Sequence, residues 1–132
     1  MGRNMIDRDP QASSWQRPPR ILQTLGLLHG ELRVHHGLSL HGYLVLGALA
    51  EATERPMPVG RLTEILRESG DRMSFLLKGL QTAGLIERRR RTADRRTVEV
   101  TLTDAGRAKF ADAERTAHVF LGRHLVAGTE PA

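Results

Sequence analysis

The sequence contains no cysteine, has two lysines against 18 arginines, and has no apolar run long enough to cross a bilayer. The absence of thiols excludes disulfides, zinc–thiolate sites and thiol redox switching. The sequence also lacks a signal-like apolar segment near its N-terminus, a glycine-rich phosphate loop and a Gly-x-Ser-x-Gly elbow. These absences predict a cytoplasmic protein that is not an enzyme and has no cofactor, and its 132 residues suit a single domain.

The excess positive charge is concentrated in one stretch, residues 88–96, which reads RRRRTADRR. Its six arginines and one aspartate give it a net charge of +5, which equals the formal net charge of the whole chain. The remaining residues are therefore balanced, and the segment favours a polyanionic partner. The charge alone leaves nucleic acid, an anionic membrane surface and an acidic protein open.

The N-terminal half shows helical periodicity interrupted by turns. Residues 1–17 have no periodicity and are interpreted as a flexible arm. Apolar residues then recur at spacings of three and four over residues 18–37, and Ser39 is a suitable N-cap for a second helix. The stretch ATERPMP, residues 52–58, is predicted to be a turn because of its two prolines, and a short helix follows near Val59–Arg67.

The C-terminal half adds a helix, a hairpin and a last helix. The fourth helix is predicted over about 70–83, and two strands follow at Leu85–Arg91 and Thr97–Leu102, with a turn at TADR between them. Thr103 then caps a helix that runs to about Leu125. This order predicts a mainly α fold with a small β-hairpin, a winged helix-turn-helix. An arginine-rich wing suits the narrow, electronegative minor groove of DNA.

From about Ser39 to Ala111 the sequence resembles the multiple antibiotic resistance regulator (MarR) family. DRRTVEVTLTDAGR, residues 94–107, is similar to the family's Asp-x-Arg wing followed by a strand and Leu-Thr-x-x-Gly. GLIERR, residues 84–89, is similar to its first wing strand, and LHGYLVLGALAE, residues 40–51, to its second helix. The resemblance implies a homodimeric transcriptional regulator that binds a pseudo-palindromic site in double-stranded DNA. It further implies a repressor whose DNA affinity a small-molecule effector lowers, with no membrane partner.

The same resemblance implies how the chain is divided. The parts are dimerisation helices at 18–37 and 104–127, a DNA-binding domain at 38–103 with its recognition helix at about 70–83 and its wing at about 85–102, and a tail at 128–132.

Within the wing, the resemblance makes Arg96 the minor-groove arginine, Asp94 the acid that orients it, and Arg95 a neighbouring contact. A carboxylate two residues from a guanidinium can also hold that fork in one geometry on physical grounds. The predicted wing contacts are Arg88, Arg89, Arg90, Arg91, Asp94, Arg95 and Arg96. A solvated basic hairpin without a DNA role is the alternative interpretation.

The predicted recognition helix departs from the family on its outward face. Phe75 stands where relatives commonly carry a basic residue, and thymine methyl groups are chemically suitable partners for it, as the cytosine amino group is for Asp71. An isolated exposed aromatic without a function is the alternative. Arg67 and Glu68 replace the family's turn glycine and apolar residue, so Gly70 is expected to supply the flexibility of the turn. The predicted contacts are Ser69, Asp71, Arg72, Ser74, Phe75, Lys78 and Thr82.

Apolar stripes on the first and last helices predict a two-fold interface between two copies of the chain. These helices flank the winged helix, so a lone protomer would leave much of their apolar area in water. An internal core is the alternative role for the same stripes. The predicted dimer contacts are Leu22, Leu25, Leu28, Leu32, Phe110, Ala113, Ala117, Phe120 and Leu121.

Two other functions remain open from the sequence. The chain suits a winged-helix adaptor for another protein, with only non-specific DNA affinity and with Phe75 and Asp71 as contacts. It also suits a metal-responsive regulator that uses histidines, although packing between helices explains the histidines equally well. The candidate ligands are His29, His36, His41 and His118.

Overall fold

The computed structural model describes residues 19–126, so the predicted arm at 1–17 and the tail at 128–132 lie outside the described residues. In this part of the chain no helix has the length and apolar character needed to cross a membrane. The elements are helices α1 (Arg20–His36), α2 (Leu40–Glu51), α3 (Val59–Leu66), α4 (Gly70–Thr82) and α5 (Asp104–Leu121), strands β1 (Met57–Pro58), β2 (Ile86–Arg90) and β3 (Val98–Leu102), and a π-helical segment (Gly122–Val126).

Side-chain caps begin three of the helices. The hydroxyls of Ser39, Ser69 and Thr103 each accept a hydrogen bond from the backbone N–H three residues further on, at 2.9–3.1 Å. These bonds satisfy N–H groups that have no partner inside the helix, which fixes where each helix starts. The sequence predicts the caps at Ser39 and Thr103. Ser69, predicted as a DNA contact, is also the N-cap of α4.

The hairpin belongs to a three-stranded antiparallel sheet in the order β1-β3-β2. The prediction of a turn throughout residues 52–58 is wrong at its end, because Met57 is buried and pairs with Val100 of β3. The predicted wing strands are also slightly too long, since β2 covers Ile86–Arg90 and β3 covers Val98–Leu102. The backbone N–H of Arg91 still donates to the carbonyl of Thr97 at 2.7 Å, just before the turn.

The turn between α3 and α4 is made by Arg67, which has φ 54° and is the one residue other than glycine with a positive φ among the described residues. After it, the backbone N–H of Glu68 donates to the carbonyl of Thr63 at 3.1 Å. The prediction that Gly70 supplies the flexibility of this turn is wrong, because Gly70 is already the first residue of α4. The sharp change of direction therefore comes from an arginine in a conformation that usually favours glycine.

One hydrophobic core connects the winged helix to the two flanking helices. Leu28 and Leu32 of α1, with Ala113 and Ala117 of α5, are at most 2% exposed and belong to the same cluster as the buried residues of α2, α3 and α4. The prediction that these four residues contact a second copy is wrong, because they are buried within one protomer where α1 packs against α5. The other predicted contacts differ: Leu25, Phe110, Phe120 and Leu121 pack half-buried against this core, and Leu22 is 55% exposed.

Aromatic packing holds α5 against α2. The rings of Tyr43 and Phe110 are stacked with their centroids 5.4 Å apart. A Cβ atom at Gly47 would lie 3.0 Å from the Phe110 ring, so the absence of a side chain there allows the close approach. Burial raises the pKa of Tyr43, and the nearby carboxylates of Glu114 and Glu51 raise it further.

Candidate nucleic-acid interface

Helix α4 buries one face and presents the other to solvent. Met73, Leu77 and Leu80 are 0%, 1% and 6% exposed and anchor the helix in the core. Phe75, on the opposite face, is 73% exposed, although an aromatic ring of this size gains from burial. The structure brings the predicted contacts of this helix to one exposed surface: Asp71, Arg72, Ser74, Phe75, Lys78 and Thr82.

The base of the wing is fixed to α4 and α5. The hydroxyl of Thr103 donates to the carbonyl of Gly84 at 2.7 Å, and its backbone N–H donates to the carbonyl of Leu85 at 3.1 Å. A Cβ atom at Gly106 would lie 2.0 Å from that Leu85 oxygen, so any residue other than glycine would clash with the backbone there. The Leu-Thr-x-x-Gly segment therefore anchors the wing exit, and Thr103 and Gly106 have structural roles.

Asp94 organises the tip of the wing. Its Oδ1 accepts a hydrogen bond from the backbone N–H of Arg96 at 3.1 Å, and its Oδ2 accepts one from the hydroxyl of Thr97 at 3.0 Å. The Nε atom of Arg96 lies 3.7 Å from Oδ1, within ion-pair range and too far for a hydrogen bond. Asp94 thus orders the backbone at Arg96 by hydrogen bonds. The prediction was instead that its carboxylate would fix the Arg96 guanidinium directly. The Arg96 side chain is 96% exposed.

The arginines of residues 88–91 are not equivalent. The Arg91 guanidinium is bound to Glu99, and the hydrogen bond and charge of that carboxylate raise the pKa of Arg91. Arg88 is half-buried, and its Nε donates to the Oε1 of Gln81 of α4 at 2.7 Å. The remaining two are exposed but also have contacts within the wing: Arg89 is 81% exposed and 3.8 Å from Glu87, and Arg90 donates from Nη1 to the carbonyl of Arg95 at 3.0 Å.

Sequence reasoning did not identify Gln81 and Glu99 as partners of the wing arginines. The pairing of β2 with β3 sets Glu99 opposite Arg89, and Arg91 lies two residues further along the same arm. The presence of an acid in the second wing strand is the one sequence signal for Glu99 as a partner. No periodicity connects Gln81 with Arg88, because their contact depends on how α4 meets β2. The predicted wing set therefore divides into arginines that hold the hairpin together and arginines that remain available at its tip.

The four candidate metal ligands are not brought together. No group of three or more His, Cys, Asp or Glu side chains that could hold a metal ion occurs among residues 19–126. Each histidine instead has a separate partner: His29 Nδ1 accepts from the Leu40 N–H at 3.0 Å, His36 Nε2 lies 2.7 Å from Thr116 Oγ1, His41 lies 3.4 Å from Glu68, and His118 lies 3.7 Å from Glu114.

Two grooves of about 680 Å³ each adjoin α1. One lies between the end of α1, the start of α2 and α4, with Arg33, Leu38, Phe75 and Lys78 among its lining residues. The other lies between α1 and α5, with Leu27, Glu31, Val119 and His124 among its lining residues. The first groove links the flanking helix to the exposed face of α4.

A short helix, a tight turn, a second helix with an exposed polar face and an anchored arginine-rich hairpin define a winged helix-turn-helix protein. The chain belongs to the family of SarA/Rot transcriptional regulators, whose sequence model matches residues 28–113. No curated protein matches the sequence closely enough to count as a relative.

Several solved structures share the fold. AbsC, a MarR family transcriptional regulator from Streptomyces coelicolor, is 23% identical with a TM-score of 0.74, covering 93% of this chain and 83% of AbsC. CouR from Rhodococcus jostii RHA1, bound to p-coumaroyl-CoA, is 22% identical with a TM-score of 0.70, covering 96% and 83%. MepR from S. aureus, in complex with DNA, is 20% identical with a TM-score of 0.69, covering 82% and 77%. The predicted winged helix-turn-helix fold and the predicted MarR-like class of regulator are confirmed.

Proposed function

We propose that this regulator is a dimeric, sequence-specific DNA-binding repressor, that it acts in the cytoplasm, and that it is not an enzyme. The observation that carries the proposal is the exposed, cationic surface of α4 and the wing. No ion pair with another described residue engages Arg72, Lys78 or Arg95. Cations held at the surface without an acid partner are suited to phosphate contacts.

The two parts of this surface suit the two grooves of DNA. Helix α4 is narrow enough for the major groove, where Arg72 and Lys78 reach phosphates on either side of the bases. The exposed Arg96 at the wing tip suits the adjacent minor groove, because its negative potential attracts arginine. The structure of MepR with DNA supports this use of the fold.

We also propose that α1 and α5 join two copies of the chain. The residues for this contact share Leu22 with the predicted stripe but otherwise differ from it, because a dimer interface needs apolar side chains that the protomer leaves exposed. Exposed apolar residues lie on both helices: Ile21, Leu22, Leu27 and Val34 on α1, and Val119 on α5. A two-fold dimer presents two α4 helices to half-sites about 10 bp apart.

A small-molecule effector is the third part of the proposal. The groove between α1, α2 and α4 is lined by residues of the flanking helix and of the DNA-facing helix. A ligand that binds there more tightly in one relative position of these helices shifts the population toward that position. The structure of CouR bound to p-coumaroyl-CoA supports a ligand-responsive role for the fold.

The test is binding of the purified protein to DNA upstream of its own gene and to a scrambled duplex, over a series of salt concentrations. We expect a preference of about 10³-fold or more for the first duplex, with affinity falling steeply as salt rises. Equal and weak binding to both duplexes would contradict a sequence-specific role and would favour the adaptor instead.

A further inference from the structure

Two neighbouring residues on the exposed face of α4 have no role inside the protein. Phe75 is 73% exposed. Gly79 follows it by four residues, so it lies beside Phe75 on the same face of the helix. A Cβ atom at Gly79 would meet no atom within 4 Å, so packing within the protomer does not require a glycine there.

A glycine in this place weakens the helix and opens its surface. Glycine within a helix is less stable than alanine, so Gly79 has a cost that no internal contact offsets. In return, the missing side chain lets another molecule approach the helix backbone closely and leaves free space beside the Phe75 ring. The Phe75 ring therefore forms an apolar ridge, and the missing side chain of Gly79 leaves a shallow gap beside it.

The chemistry of this ridge selects one group in the major groove. A phenyl ring makes no hydrogen bonds, so it gains nothing from the polar edges of guanine, adenine or cytosine, and covering those edges without replacing their hydrogen bonds is unfavourable. Thymine alone presents an apolar group there, its C5-methyl. Arg72 and Lys78 flank Phe75 on the exposed face, and their contacts with phosphates would hold the ring over the bases.

We infer that Phe75 and Gly79 form a reading site for the C5-methyl group of thymine, and that each half-site contains a thymine selected by this site. The inference rests on the proposed function, because it requires α4 to enter the major groove. It assigns base selection to an apolar contact, with the arginines and Lys78 serving mainly to grip the backbone.

The test uses a duplex selected by the full-length protein from a random DNA pool. Each thymine of this duplex is replaced singly by deoxyuridine, which removes the methyl group and changes nothing else. We expect one or two replacements per half-site to weaken binding by about threefold to tenfold, as burial of one methyl predicts. In the Phe75→Ala variant the same replacements should have no effect.

Two further variants separate reading from folding. Gly79→Ala should weaken binding to the selected duplex. The melting temperature of this protein variant should stay the same or rise, since alanine favours the helix. Lys78→Ala, the matched control on the same face, should weaken binding to thymine and deoxyuridine duplexes equally, because it removes a phosphate contact.

The outcomes distinguish this site from the function on which it rests. If the pool yields no preferred sequence, both the sequence-specific function and the reading site are wrong. If a preferred duplex is bound with a steep salt dependence but every deoxyuridine replacement is neutral, the reading site alone is overturned. Persistence of the deoxyuridine effect in Phe75→Ala would overturn it as well.

Discussion

The guanidinium of Arg91 is bound to Glu99 across the wing: its Nε and Nη2 donate hydrogen bonds of 3.0 and 2.8 Å to the Oε2 atom of Glu99. Glu99 is largely buried, with a side chain 17% exposed, so the carboxylate is held in place. The charge of Arg91 is thereby neutralised within the hairpin, whereas Arg96 at the tip is 96% exposed. An arginine run that looks uniform in sequence thus contains cations with different roles.

The first prediction compares these two arginines. Arg96→Ala should weaken DNA binding by about 1–3 kcal/mol and reduce by about one unit the slope of log affinity against log salt concentration. Arg91→Ala should have a smaller effect on both quantities, because Glu99 already balances its charge. Fluorescence anisotropy over a salt series measures both. Equal losses in the two variants would contradict the division of roles.

Asp94 gives a prediction whose sign separates two explanations. Asp94→Ala removes a negative charge next to Arg96, so long-range electrostatics alone would strengthen DNA binding. We expect weaker binding, because the Asp94 carboxylate accepts the hydrogen bonds that order the backbone at Arg96 and Thr97. The DNA affinity of Asp94→Asn, which keeps one acceptor oxygen, should lie between that of Asp94→Ala and that of the native protein. Tighter binding by Asp94→Ala would show that the ordered tip is unimportant.

The turn before α4 predicts a stabilising substitution. Arg67 has φ 54°, where a residue with a Cβ atom is strained by roughly 1–2 kcal/mol. Arg67→Gly should relieve this strain and, after the greater chain entropy of glycine in the unfolded state, raise the free energy of unfolding by up to about 1 kcal/mol. Urea denaturation measures the change. A loss of stability would mean that contacts of the Arg67 side chain outweigh the strain.

A side chain added at Gly106 should destabilise the fold, in contrast to the stabilising substitution at Arg67. A Cβ atom there would lie 2.0 Å from the carbonyl oxygen of Leu85 and 2.7 Å from the Leu102 side chain. Gly106→Ala should therefore lower the free energy of unfolding by about 3 kcal/mol or more, the upper range for overpacking. Gly60→Ala is the control, because its Cβ would meet no atom within 4 Å. Similar thermal stability of the two variants would refute a close packing of α5 on the wing base.

Neighbouring leucines of α1 separate the core from the proposed dimer surface. Leu28 is 2% exposed, so Leu28→Ala should destabilise the fold by about 2–5 kcal/mol. Leu27 is 58% exposed, so Leu27→Asp should instead dissociate the dimer, as sedimentation would detect. Ile65→Asp, at a site 52% exposed on α3, is the matched control and should leave the dimer intact. A dimer unaffected by Leu27→Asp would argue against this face of α1 as the interface.

The sequence by itself determined the order of the helices, the caps at Ser39 and Thr103, and the position of the wing. Spacings of three and four, N-cap residues such as Ser39 and Thr103, and alternation in β3 act over a few residues, so they are readable without knowledge of the fold. The cluster of arginines in residues 88–96 is likewise a local property of the chain. These features were sufficient for the winged helix-turn-helix fold, and the resemblance of residues 40–51, 84–89 and 94–107 to family motifs indicated the class of regulator.

The tertiary structure decided which of the predicted residues are available for contacts. Leu28 was interpreted as part of a dimer surface, yet α5 covers it within the protomer, and an apolar stripe looks the same in either case. Arg91 and Arg96 are likewise indistinguishable until the register of β2 and β3 brings Glu99 to one of them. Whether a side chain is buried or ion-paired depends on residues distant in sequence, so only the tertiary structure shows which of the predicted residues are buried and which are paired.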